Sequence, residues 1–129
     1  MANKGNFLIF YNNDLLKWTC TVNTVSLFAG TLLAPKTIGE YKAIFFEWSL
    51  YNNGPYVPVF ILSPANGINY NSILNYRDSN VDRRITMQYS FSGRYADGLI
   101  SRSQYDYNQQ PTDVDATRYI YIRKFWVAE

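Results

Sequence analysis

Tyr41-Lys42-Ala43-Ile44-Phe45-Phe46-Glu47-Trp48-Ser49-Leu50 is the most concentrated apolar run in this chain of 129 residues. Its length and its aromatic and β-branched content suit a strand. In an extended segment side chains alternate, so Lys42, Ile44, Phe46, Trp48 and Leu50 share one face, and Tyr41, Ala43, Phe45, Glu47 and Ser49 the other. Both faces are largely apolar, which predicts a central strand covered on both sides. Asn53-Gly54 comes shortly after it, a pair that readily takes the positive φ of a tight turn. Residues 57–63 then return beside the central strand with Val57, Val59 and Ile61 facing one way. Pro58 has no amide hydrogen, so the returning strand lies at an edge or carries a bulge there.

The same period of two runs outward from this hairpin. Residues 7–11 form a short apolar strand candidate, and in residues 15–22 Leu16, Trp18 and Cys20 oppose Lys17, Thr19 and Thr21. Val25, Leu27 and Ala29 alternate with small residues, Gly30 marks a bend, and residues 37–41 suit one helical turn. Residues 68–76 alternate Ile68, Tyr70, Ser72, Leu74 and Tyr76 against asparagines and Ile73, and residues 85–91 point Ile85, Met87, Tyr89 and Phe91 inward. Residues 77–84 read as a charged loop, residues 99–107 as a polar strand, and residues 108–117 as a surface loop. The closing strand, residues 118–127, sets Ile120 and Ile122 against Tyr119 and Tyr121. About eight to ten strands predict an all-β, single-domain antiparallel β-sandwich of jelly-roll type over residues 15–129, preceded by an N-terminal arm and first short strand over residues 1–14.

Composition narrows the function classes. Twelve basic and ten acidic side chains nearly balance, which does not support a nucleic-acid binder resting on clustered phosphate contacts. One cysteine and no histidine exclude an intrachain disulfide, the common zinc ligand sets and Ser-His or Cys-His nucleophile pairs. Cys20 is expected to be a small buried apolar group. The start of the chain carries no secretory pattern and no run is long enough to span a bilayer, so synthesis in a cytoplasm, no membrane insertion and no cofactor are expected.

Four constellations have chemical content. Asp113-Val114-Asp115 brings two carboxylates into one loop, but without the glycine or terminal glutamate of a calcium loop it reads as two solvated aspartates. Asp78 and Asp82 among Arg77, Arg83 and Arg84 read as surface ion pairs. Glu47, inside the apolar strand, is the carboxylate whose setting could suit glycoside hydrolysis, but it reads first as a structural ion-pair or hydrogen-bond partner of Lys17, Arg123 or Lys124. Tyr89, Tyr95, Tyr105 and Tyr107, with Arg94 and Arg102, combine broad apolar rings with planar hydrogen bonding, as glycan- or protein-binding surfaces do. Of these, Tyr95, Arg94, Arg102, Tyr105 and Tyr107 are the expected ligand contacts.

The segments Leu15-Leu16-Lys17-Trp18-Thr19, Thr31-Leu32-Leu33 and Ile38-Gly39-Glu40-Tyr41 running into Glu47-Trp48, with a late Ile85-Thr86-Met87 and a closing Tyr119-Ile120-Tyr121-Ile122-Arg123-Lys124-Phe125, resemble small β-sandwich domains of tailed-phage virion proteins. Such domains occur at the ends of tail fibres and in other appendages. The resemblance implies a non-enzymatic virion protein of a tail fibre, head fibre or baseplate, acting in assembly or host attachment. It also implies a homo-oligomer with a trimer favoured, other virion proteins as partners, and a host-surface glycan or receptor as a further one. The arm, with Phe7, Phe10 and Tyr11, would dock on a neighbour, while residues 77–84, 94–98 and 108–117 would form the contact loops. The alternative from the residues themselves is a carbohydrate-binding, lectin-like domain.

Overall fold

The computed structural model describes residues 10–11, 14–49, 52–53, 55–78, 81–97, 103–104, 112–113 and 120–129. Its strands are β1 (Phe10–Tyr11), β2 (Asp14–Leu15), β3 (Trp18–Val22), β4 (Ser26–Leu27), β5 (Ala43–Ser49), β6 (Val57–Leu62), β7 (Tyr70–Asp78), β8 (Val81–Ser92), β9 (Tyr95–Asp97), β10 (Ser103–Gln104), β11 (Thr112–Asp113) and β12 (Tyr121–Ala128). One helical turn of the 3-10 type, Ile38–Glu40, precedes β5. All pairings are antiparallel. A five-stranded sheet runs β3-β12-β5-β6 with β4 also on β12, and a three-stranded sheet runs β7-β8-β9. The molecule is an all-β sandwich, and β5 lies between β12 and β6.

The core forms between the two sheets because alternation points one face of each inward. Ile44, Phe46 and Trp48 of β5 meet Met87, Tyr89 and Phe91 of β8, and Ile122, Phe125 and Val127 of β12 complete the layer. Phe46 stands edge-on to Tyr89 at 5.6 Å and to Phe91 at 6.2 Å, and lies stacked on Phe125 at 5.5 Å. Such pairs add about 0.5–1.5 kcal/mol each beyond the area they bury. The Trp48 indole N–H donates to Ser72 Oγ of β7 at 2.8 Å, a polar link between the sheets.

Four expectations are corrected. Residues 77–84 are not a loop: Arg77 lies opposite Asp82 and Asp78 opposite Val81, so strand pairing continues until only Ser79 and Asn80 separate β7 from β8. The hairpin after β5 is centred one residue earlier than Asn53-Gly54, since the register that sets Trp48 opposite Val57 puts Asn52 and Asn53 at its middle. Tyr56 Oη donates to Asn52 O at 2.7 Å within that connection, and Gly54 lies outside the described residues. In residues 24–30 the inward side chain is Phe28, wholly buried, while Val25 and Leu27 are exposed. β4 is only two residues long, and Phe28 N–H donates to Ile120 O at 2.8 Å, which turns the ring into the core. Within residues 108–117, Thr112–Asp113 pairs with Ser103–Gln104.

β12 is the best-connected strand, bound by β3 and β4 along one edge and β5 along the other. It contains a bulge that its sequence pattern did not announce. The register shifts between Arg123 and Trp126, and Lys124 has φ +59. Strict alternation from Ile122 would send Lys124 into the core. The bulge skips it, so Lys124 is exposed while Phe125 and Val127 face inward and Trp126 and Ala128 face outward.

The outer face of the five-stranded sheet is apolar as well. Leu16, Trp18, Ala43, Trp126 and Ala128 form a second buried cluster, with Cys20 and Phe45 partly buried against it. Cys20, expected to be buried, is half-buried and directs its thiol to Val22 O at 3.3 Å. Trp18, Ala128, Ala43 and Leu62 follow one another across neighbouring strands. The two alanines leave room for the Trp18 ring, which lies 5.9 Å from Phe60.

Candidate functional site

The expected ligand contacts Arg94 and Tyr95 sit together at the β8–β9 turn. Pairing runs Ser90–Asp97, Phe91–Ala96 and Ser92–Tyr95, leaving Gly93 and Arg94 as the loop. Gly93 has φ +58 and Arg94 does not share the positive φ, the glycine-first pattern of a tight hairpin. The Arg94 guanidinium carbon lies 5.9 Å from the Tyr95 ring centroid, and both side chains are exposed. β9 therefore begins at Tyr95, and of residues 94–98 only Arg94 is a turn residue among those described.

The turn is held from three directions. Gly93 O accepts Ile38 N–H at 2.9 Å, Arg94 O accepts Leu33 N–H at 2.9 Å, and Ala96 N–H donates to Thr31 O at 2.9 Å. Asn66 acts as a clamp: its Nδ2 donates to Gly93 O at 2.9 Å, and its Oδ1 accepts Gly39 N–H at 2.8 Å. A Cβ on Gly39 would stand 2.9 Å from Asn66 Oδ1, so any larger residue there would push the clamping amide aside. Nothing in the sequence singles out Asn66 beyond its place in a turn. Beside the turn lies an open groove of about 360 Å³ lined by Thr21, Leu32, Leu33, Ala34, Pro35 and Arg94. Thr21 Oγ1 is engaged as donor to Phe125 O at 3.2 Å.

The remaining expected residues divide. Tyr89 does not belong to a surface: it is 2% exposed, packed between Phe28, Phe46 and Tyr70, and burial holds its phenol above the ordinary tyrosine range. Arg102, Tyr105, Tyr107 and Phe7 lie outside the described residues. The backbones of Phe10 and Tyr11 pair with Leu15 and Asp14 of their own chain. Glu47 takes the structural option, opposite Arg123 in the sheet and bonded to its Nε at 3.2 Å and Nη2 at 3.3 Å. Arg123 also lies over the Tyr56 ring at 4.3 Å, and burial raises the Tyr56 phenol pKa despite that cation. Asp113 lies in β11 opposite Ser103, and Asp115 is outside the described residues. Among the described residues no group of three acidic or cysteine side chains is placed to hold a metal ion, and no helix is long and apolar enough to cross a membrane.

Comparison with known proteins yields no match, whether to a family model, a curated protein or a solved structure.

Proposed function

We propose that the chain is a non-enzymatic structural module of a tailed-phage virion, part of a tail fibre, head fibre or baseplate, working through protein–protein contact in assembly or host attachment. The short hydrophobic motifs quoted above are the ground for the phage assignment. The observation that carries a contact role is the outer face of the five-stranded sheet. There Phe60 and Leu62, at 42% and 52% exposure, adjoin the cluster of Trp18 and Trp126, Phe60 beside the Trp18 ring and Leu62 opposite Ala43. An apolar surface of this kind on a folded sheet marks a place for another protein surface, and a homo-oligomer, with a trimer favoured, is the form that would cover it.

Sedimentation of the purified chain, together with mass spectrometry of purified virions, tests both halves of the proposal. An oligomer in solution and the chain among virion proteins are expected. A strictly monomeric species at high concentration that is also absent from virions would overturn it. The exposed Arg94–Tyr95 pair favours a second reading, a glycan-binding domain. Specific glycan-array hits lost on Tyr95→Ala would support that reading, and an empty array would remove it.

A further inference from the structure

The groove beside Arg94 has four properties that together specify a ligand. Its walls are aliphatic, from Leu32, Leu33, Ala34 and Pro35, with Thr21 the sole hydroxyl among its lining residues. Its cation is unopposed: the Arg94 guanidinium forms no hydrogen bond or ion pair among the described residues, whereas Lys36, next to the groove, is already paired with Glu129. The Arg94 backbone is fixed by the bonds that hold its turn. Finally, the groove lies where backbone edges are open. Leu32 faces Tyr95 as an isolated bridge whose bonds run through Thr31 and Leu33, leaving its own N–H and C=O unbonded among the described residues. Among the described residues β3, which carries Thr21, pairs only with β12.

An unpaired guanidinium presents a planar fork of donors that matches a carboxylate. Aliphatic walls take an apolar side chain and offer little to the hydroxyls of a sugar. An open backbone edge accepts an extended chain by strand addition. We infer that this groove binds the C-terminal end of a partner polypeptide. The terminal carboxylate sits on Arg94, the last, apolar side chain lies against Leu33 and Pro35, and the preceding backbone runs beside Leu32. Residues 127–129 of this chain are not the occupant, because Val127 and Ala128 are buried in β12 and Glu129 is bound to Lys36 and to the Lys17 backbone. The inference stands independently of the virion assignment.

The test uses the full chain and a pool of acetylated peptides with randomised apolar last residues, each prepared with a free C-terminal carboxylate and as the C-terminal amide. Backbone amide shifts follow the titration. The free acids are expected to shift Thr21, Leu32, Leu33 and Arg94 selectively. Amidation, Arg94→Gln or Leu32→Glu is expected to weaken binding at least about tenfold, as loss of a charge-assisted pair implies, and Arg94→Lys by less. Both positions are exposed, and unchanged shifts elsewhere in the spectrum confirm that each variant is folded. Equal binding of acid and amide, shifts confined to other surfaces, or no binding from the whole pool would each overturn the inference. Shifts at the same residues with a sialylated oligosaccharide, and none with the peptides, would give the groove to a sugar instead.

Discussion

Individual polar contacts inside the sandwich carry consequences out of proportion to their number. Trp48 is wholly buried, and its indole N–H is satisfied by Ser72. Ser72→Ala leaves that donor in an apolar layer, and a buried unsatisfied group costs about 1–3 kcal/mol. The urea midpoint is expected to fall accordingly, whereas Ser72→Thr, which retains a hydroxyl, falls less. Tyr89 gives a pH signature. Burial is the main cause of its raised pKa, with the neighbouring Tyr70 adding to it. The unfolded chain therefore releases the phenol proton first, near the ordinary tyrosine value of 10.0. The stabilising contribution is whole below that pH and is lost as pH rises toward the folded value, with a slope of up to about 1.4 kcal/mol per pH unit. Tyr56, raised in the same direction by burial, adds with the same sign. Denaturant melts between pH about 9.5 and 11 are expected to show a steep loss that Tyr89→Phe flattens. An unchanged slope in the variant would show that Tyr89 is not the group responsible.

At the level of elements, the bulge in β12 decides which residues face which layer. Lys124 occupies the left-handed region, where a non-glycine residue costs about 1–3 kcal/mol and a β-branched one more. Lys124→Val is expected to destabilise by about 1–3 kcal/mol although the side chain is exposed and strands normally favour valine. Lys124→Gly is expected to be neutral or mildly stabilising. If Lys124→Val is instead stabilising, the bulge is not what sets the register. The same element brings Arg123 opposite Glu47, so the ion pair follows from the sheet register and needs no catalytic explanation. Pro58 fits this level too: it lies on β6, the last strand of its sheet among the described residues, and an edge strand is where a residue without an amide hydrogen is tolerated.

At the scale of the whole molecule, two apolar layers are stacked on one five-stranded sheet: one shared with the β7–β9 sheet, the other on its outer face. Leu62 is the most exposed large side chain of that outer face, so its replacement by glutamate disturbs little of the folded core. Leu62→Glu is expected to shift the sedimentation profile toward monomer while moving the melting temperature only slightly. A variant that stays as associated as the parent chain would place the interface elsewhere. How much of this was legible in the chain varies with range. The faces of β5, β6 and the inner half of β8 followed from alternation, and so did the edge position of Pro58. The single turn over residues 38–40 and the pairing of Glu47 with one of three named cations were readable as well. Phe28, Asn66 and the Lys124 bulge were not. Each depends on a partner far away in sequence: Ile120 for Phe28, Gly93 and Gly39 for Asn66, and the β5 register for Lys124.

An all-β sandwich with a doubly apolar strand at residues 41–50 was readable from the residues alone, because a period of two and the distribution of apolar side chains are local properties that survive without knowledge of neighbours. That β12 has three strand partners, and that residues 77–78 pair with residues 81–82, came from the fold alone. It also removed Tyr89 from the surface and placed Arg94, whose guanidinium has no ion pair among the described residues, beside an aliphatic groove. These outcomes rest on which strands meet and in what register, and that is set by the packing of two sheets against each other.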